Sequence, residues 1–220
     1  KGIGKGFARL DDGNQLFYGV PFRDSLTEDG YITDARGIPM HPHFRTLLQY
    51  GAVGGFGFYY DYGPNPSADA IIFARKGNIM YLPLIQKRVG GKYLVPGGMI
   101  KKDEDPIEAA LRECYEETGL QVNNPKIILT VYNGLHASTP RKTLHAWEES
   151  AVRLFIPDDM EITNKSLQPA DDAATAQWVP IHEAVTILST SHRAYVKQAI
   201  LLFEQTQNVT ITSLGTIAER

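Results

Sequence analysis

Apolar residues gather in short blocks between turn formers through the middle of the chain. Residues 70–74 (AIIFA) and 79–87 (IMYLPLIQK) flank Lys76-Gly77-Asn78, which predicts two neighbouring strands around a turn. A short strand at 93–96 runs into Gly97-Gly98. Asp105 then stands as an N-cap with Pro106 at the first helical position, and Gly119 closes the helix. Further strands are predicted at 126–132, 151–156 and 176–179. A last helix is predicted over 191–205, where Tyr195, Val196, Ala199, Ile200 and Phe203 recur at helical spacing. Residues 1–60 lack sustained helical periodicity and read as turns and short strands, while 60–67 (YDYGPNPS) reads as a loop.

Strands flanked by two packed helices predict an α/β protein, a three-layer α/β/α sandwich with a mixed sheet. The expected organisation is an N-terminal extension over 1–60, a main domain over 61–210 and a tail over 211–220.

Composition narrows the partners. A net charge of -3 over 220 residues offers no broad basic surface, so nucleic acid is not expected as a partner. A single cysteine, Cys114, excludes an internal disulfide framework and a multi-cysteine zinc site, and favours an intracellular, cytoplasmic setting. His41 and His43 show no zinc spacing. No apolar run approaches the roughly 20 residues that cross a bilayer, so no membrane contact is expected. The chain opens on Lys1, so we expect a trimmed or processed fragment, with any targeting signal or fused partner domain outside it.

On the helix from Pro106, residues Ile107, Ala110, Leu111, Cys114 and Thr118 fall at steps of three and four and predict the inward face. Arg112, Glu113, Glu116 and Glu117 project from the rest, with Glu104 just ahead. Like charges three or four apart cost a few tenths of a kcal/mol per pair. An acidic face of this kind is either solvated, in part through Arg112, or a hard-cation site, since Mg²⁺ prefers oxygen ligands.

Spacing separates the two. From Gly98 the chain reads GMIKKDEDPIEAALRECYEETGL, which carries G-x5-E-x7-R-E-U-x-E-E-x-G-U with Cys114 and Leu120 as the apolar U positions. Seven fixed residues at average composition match by chance on the order of once in 10⁸ windows. This stretch resembles the Nudix signature. The resemblance implies a Nudix fold and a pyrophosphatase that uses Mg²⁺, with Mn²⁺ as substitute. It implies metal ligation by Glu113, Glu116 and Glu117 with the backbone carbonyl of Gly98, orientation of Glu113 by Arg112, and support of the helix start by Glu104. Gly97 and Gly98 let the backbone approach metal and phosphate closely.

More of the chain is similar to one branch, the mitochondrial-type ADP-ribose pyrophosphatases and the related domain of ADP-ribose-gated TRPM channels. GPN at 63–65 with Ala68-Asp69, VPGGM at 95–99, VYNG at 131–134, PRKT at 140–143, AWEES at 146–150, DDA at 171–173 and Trp178-Val179 keep that branch's order. Pro66 departs from it, as do the extra residues over 56–61. The resemblance implies hydrolysis of ADP-ribose to AMP and ribose 5-phosphate. It nominates Arg45, Asn65, Asp69, Arg141, Asp171, Asp172 and His192 as substrate contacts and Glu149 as the general base, with Glu148 its rival. Trp147, Tyr132 and Phe56 are either stackers for the base or core aromatics. Two other readings stand beside it. One is cleavage of a different nucleoside diphosphate derivative, a nucleotide sugar or dinucleotide. The other is a sensing module without turnover, which predicts an eroded signature where this chain keeps all four glutamates and Arg112.

Overall fold

The computed structural model of the chain describes residues 22–26, 30–88, 91–136, 142–161 and 166–219. In chain order the elements are β1 (Phe22–Leu26), β2 (Ile32–Asp34), α1 (Phe44–Gln49), β3 (Gly63–Ile72), β4 (Ala74–Lys76), β5 (Ile79–Lys87) and β6 (Tyr93–Leu94). They continue with β7 (Gly97–Met99), α2 (Pro106–Thr118), β8 (Ile127–Leu135), β9 (Ala146–Ile156) and β10 (Ala173–Pro180). The chain finishes with α3 (Ile181–Ile187), α4 (Thr190–Gln207), β11 (Val209–Ile211) and β12 (Ile217–Glu219). The described residues belong to two compact units, Lys1–Pro66 with Leu135–Glu149, and Ser67–Gly134 with Ser150–Arg220.

In the larger unit, one sheet runs β7-β3-β9-β8 and another β10-β5-β4, with β6 also paired to β5. Side chains alternate along β3, and the alternation places helices on both faces. Ala68, Ala70 and Ile72 pack with Phe155 against Ala109, Ala110 and Cys114 of α2. Ile71 and Phe73, with Val152, Leu154 and Ile156, pack against Val196, Ala199 and Phe203 of α4. This is the α/β/α layering expected from the sequence. Four alanines at the α2 contact let helix and strand lie close together, and the Phe73 and Phe203 rings meet edge-on at 5.5 Å on the opposite side. Truncating a ring such as Phe203 to alanine costs about 3–5 kcal/mol through lost transfer energy and the cavity left behind.

Helix α2 has the predicted ends. The Asp105 carboxylate accepts from Ile107 N–H, Pro106 opens the first turn, and Gly119 closes it in the left-handed region at φ 67°. Its buried stripe is Ala109, Ala110, Cys114, Glu117 and Thr118, turned from the expected one so that a carboxylate lies inside while Ile107 and Leu111 are half-buried.

The expected loop over 60–67 is a correction, because β3 already begins at Gly63. Successive backbone N–H groups in a strand point to opposite edges, so Pro64 and Pro66 lack donors on one edge only. That edge is paired with β7 only from Ser67 to Asp69, past both prolines. Gly97 and Gly98, expected at the end of a strand, are themselves paired in β7, opposite Asp69 and Ala68. Helices α1 and α3, of six and seven residues, were not foreseen because so few turns carry no readable periodicity. The end of the chain, expected as a tail, pairs β11 with β12, and Met80 N–H and Ile217 N–H bond to Gly215 and Asn78 carbonyls.

The smaller unit holds the β1–β2 pair and α1, with Met40, Phe44 and Leu144 as its apolar centre. Asp34, fully buried, accepts from the backbone N–H of Arg36 and Ile38 and from the Arg36 guanidinium, which shapes the turn at Gly37. A cavity of about 290 Å³ is lined by residues that include Tyr31, Met40, His41 and Phe44.

Candidate active site

Two cations, Arg112 and Lys87, gather the carboxylates closest to α2 and β7. Arg112, on the middle turn of α2, is the first. Its Nε donates to Glu104 Oε1 at 2.6 Å and its Nη2 to Glu104 Oε2 at 2.9 Å, a bidentate pairing that sets the planes of the two groups. Its Nη1 donates to Glu113 Oε1 at 2.7 Å and to Glu116 Oε2 at 2.9 Å, and its Nη2 also reaches the Met99 carbonyl. One guanidinium therefore ties the loop before α2, the end of β7 and two turns of α2. The Arg112 hydrogen bonds hold the Glu104 carboxyl down at about 2, and the same carboxylates push the Arg112 pKa up.

Lys87, the last residue of β5, is the second cation. Its ammonium lies 3.7 Å from Glu117 Oε1 and 2.9 Å from Asp172 Oδ2. Glu117 is 1% exposed, and its other oxygen, Oε2, accepts from Gly97 N–H at 2.9 Å. Burial pushes the Glu117 carboxyl up to about 8, against the pull of Gly97 and Lys87. Asp172 is placed by the loop before β10. Ala170 N–H and Gln168 N–H bond to the last carbonyls of α2, those of Glu117 and Thr118, and Asp171 takes a left-handed φ of 52°.

Glycines complete the floor. A Cβ on Gly98 would lie 2.5 Å from the Glu113 carboxyl carbon, and one on Gly97 would lie 2.7 Å from the Ala68 carbonyl and meet the Asp69 carboxylate. The donor set is carboxylate and carbonyl oxygen around a backbone free of side chains, which fits a hard divalent cation such as Mg²⁺. In the present arrangement Glu113 and Glu116 are engaged by Arg112, and among the described residues no three His, Cys, Asp or Glu side chains converge as a metal cage.

The remaining nominated residues are distributed more widely. Asp69 lies in β3 opposite Gly97, 7% exposed. His192, at the start of α4, is nearly buried; its Nδ1 accepts from Val95 N–H at 3.2 Å, so it fastens the strand that leads into Gly97-Gly98. Arg45, Asn65 and Glu149 belong to the smaller unit. The Arg45 guanidinium sits 5.0 Å above the Phe44 ring. The buried Asn65 carboxamide accepts from Tyr60 and Asp61 N–H and donates to the Asp61 and Gly63 carbonyls, a loop lock made wholly with backbone. Glu149 Oε1 accepts from Tyr31 Oη at 2.8 Å and Trp147 Nε1 at 3.0 Å. Arg141 lies outside the described residues. The three aromatics nominated as stackers have ring partners within the fold: Trp147 with Tyr31 and His41, Tyr132 with Tyr195, and Phe56 with Tyr62.

Sequence reasoning missed Lys87 and Lys101, the latter 3.5 Å from Glu116 Oε1. A lysine at a strand end carries no motif; only the pairing of β5 with β10, which sets Lys87 opposite Ala173, brings it to Glu117.

The NUDIX domain model matches residues 63–200, which include every element that shapes the Arg112 and Lys87 clusters. The mitochondrial ADP-ribose pyrophosphatase of Rattus norvegicus is 28% identical over 202 residues, covering 78% of this chain and 56% of that protein, so the chain spans little more than half of its relative. An RNA pyrophosphohydrolase of Proteus mirabilis is 26% identical over 152 residues, 63% of this chain and 84% of that one. In fold, the chain is similar to the NUDIX domain of Shewanella oneidensis NrtR solved with ADP ribose, at a TM-score of 0.52 and 18% identity, over 66% of this chain and 94% of that one. Since the family match extends over well more than half of the chain and contains the whole acidic site, the protein belongs to the NUDIX family.

Proposed function

We propose that the chain hydrolyses the pyrophosphate bond of ADP-ribose, giving AMP and ribose 5-phosphate, with Mg²⁺ as cofactor and Mn²⁺ as substitute. The observation that carries the reading is the joint one at α2. The Glu113 carboxyl lies where a Cβ on Gly98 would strike it, Glu117 Oε2 accepts from Gly97 N–H, and Glu116 shares the Arg112 guanidinium with Glu113. The choice of ADP-ribose is supported by the likeness to the rat ADP-ribose pyrophosphatase and the order of short motifs shared with that branch.

When bound, the divalent ion supplies charge against the diphosphate and makes water a better nucleophile at neutral pH. The protein's share is positioning. Arg112 holds Glu113 and Glu116 in fixed rotamers from one guanidinium, and Gly97 N–H fixes one oxygen of Glu117. Water adds to phosphorus, the bridging P–O bond breaks, and the released phosphate oxygen takes a proton. We assign the base that accepts the proton of water to Glu149, from the family resemblance. Asp69, Asp171, Asp172, His192, Arg45, Asn65 and Arg141 remain the nominated substrate contacts.

The likeness to an RNA pyrophosphohydrolase supports a second reading, a different diphosphate substrate for the same site. Incubation with ADP-ribose, nucleotide sugars, dinucleotides and 5′-triphosphate RNA in Mg²⁺, with products separated by chromatography, decides between them. ADP-ribose turnover that Glu116→Gln/Glu117→Gln abolishes is the expected result. Turnover of another substrate instead would keep the site and replace the substrate; ADP-ribose binding without turnover by the parent would replace the enzyme with a sensor.

A further inference from the structure

Glu117 sits where a carboxylate is hardest to keep charged. A carboxylate almost fully removed from water needs compensation by hydrogen bonds or an opposite charge. Gly97 N–H serves Oε2, the Lys87 ammonium stands 3.7 Å from Oε1, an ion-pair distance too long for a hydrogen bond, and the Asp172 carboxyl faces Glu117 within side-chain hydrogen-bonding reach as a like charge. The same ammonium is at 2.9 Å from Asp172 Oδ2, on a side chain that is half exposed. Lys87 is thus closer to the more solvated of two carboxylates that face each other, and its charge offsets both.

Resting on the reading of Glu117 as a metal ligand, we propose that Lys87 is a resident counter-cation of Glu117 that a divalent ion displaces, and that it keeps Asp172 out of the ion's ligand set. The ion and the ammonium compete for the field of one oxygen, Oε1. Lys87 has a place to fall back to, because Asp172 already receives it at hydrogen-bond distance. Asp172 is fixed there from two sides, by the pairing of its carbonyl with Arg88 N–H and by the loop bonded to the end of α2. Holding one more carboxylate in reserve lowers the anionic charge offered to the ion, and ligand charge count is a main control of affinity at oxygen sites. A loosely held ion that arrives together with the diphosphate is the consequence. Lys87 acts through Glu117 and Asp172 and is a positioning residue.

The experiment is Mn²⁺ binding without substrate, read from the electron paramagnetic resonance of the free ion, on the whole chain. Lys87→Met should bind Mn²⁺ on the order of tenfold tighter, about 1.4 kcal/mol, since it removes a positive charge that repels the ion and competes for the same carboxylates. Lys87→Arg should stay near the parent, and Asp172→Asn added to Lys87→Met should return affinity toward it. Lys87→Gln repeats the test should the methionine variant not fold. Unchanged or weaker binding in the neutral variants overturns the proposal, because a merely structural lysine would loosen the site when removed. If the parent and Glu117→Gln bind Mn²⁺ equally, the metal reading of Glu117 itself fails, an outcome separate from parent binding that Lys87→Met leaves unchanged.

Discussion

Arg112 and Glu104 form a two-point pair, Nε to Oε1 at 2.6 Å and Nη2 to Oε2 at 2.9 Å, which fastens the loop before α2 to the middle of the helix. Both side chains are largely shielded, at 19% and 14% exposure, so the pair is not a solvated surface bridge. Arg112→Ala removes the guanidinium that bonds Glu104, Glu113 and Glu116, and the exposed Lys101 ammonium, 3.5 Å from Glu116 Oε1, does not replace it. The expected loss is about 2–4 kcal/mol of stability, measured by urea denaturation, with a larger fall in kcat than in substrate affinity. Arg112→Lys should recover little of either, since an ammonium cannot reproduce the planar fork.

The same pair sets an acid limit. The folded pKa of Glu104 is depressed to about 2, below its ordinary value of 4.5, by the Arg112 hydrogen bonds. Its stabilising effect is therefore present above pH 4.5 and is lost as pH falls through the folded value. Thermal melts between pH 5 and pH 2 should show a decline that is shallower in Glu104→Gln, and equal slopes would contradict the assignment.

His41 gives a second pH window. Burial lowers its pKa to about 4 from 6.5, and its Nδ1 accepts from His43 N–H, so the neutral ring is the folded form. A depressed histidine contributes stability above pH 6.5 that fades as pH drops toward 4. Nuclear magnetic resonance of the His41 ring should find it neutral at pH 5.5; a protonated ring there would count against the burial argument.

Gly98→Ala places a methyl group 2.5 Å from the Glu113 carboxyl carbon, and something must shift. The chain should fold, because α2 and the sheets do not depend on that contact, while kcat falls at least tenfold and Mn²⁺ binding weakens. Gly97→Ala meets backbone, the Ala68 carbonyl at 2.7 Å, and should lower Tm as well. Parent-like activity in both variants would show that the close backbone approach is dispensable.

Chelation is the simplest check on the cofactor. Ethylenediaminetetraacetate should stop ADP-ribose turnover, and Mg²⁺ or Mn²⁺ in excess should restore it; turnover that persists through chelation removes the metal from the mechanism.

Much of the larger unit was legible because its signals are local. Asp105, Pro106 and Gly119 mark the ends of α2 by chemistry that acts within a few residues, and the 79–87 block matches β5 end to end. What escaped depends on partners distant in sequence. Asn65 and the two prolines look like a loop, and become strand because the Asn65 side chain bonds to the backbone around it while Gly63 N–H finds the His145 carbonyl. Glu117 reads as one of an acidic face, yet joins the buried stripe because Gly97 N–H and Lys87 meet it there. Val95 N–H gives His192 a backbone role that nothing in Ser191-His192 announces.

Cys114 carries a last consequence. It is the single thiol of these 220 residues, fully buried on the inner face of α2, and burial pushes it up to about 12. Only the thiolate reacts at a useful rate, and oxidants attack thiols in proportion to their ionisation and access. The folded chain therefore offers no reactive thiol to an oxidant. It should neither form disulfide-linked pairs nor need a reductant in storage, and a thiol reagent that labels it reports unfolding.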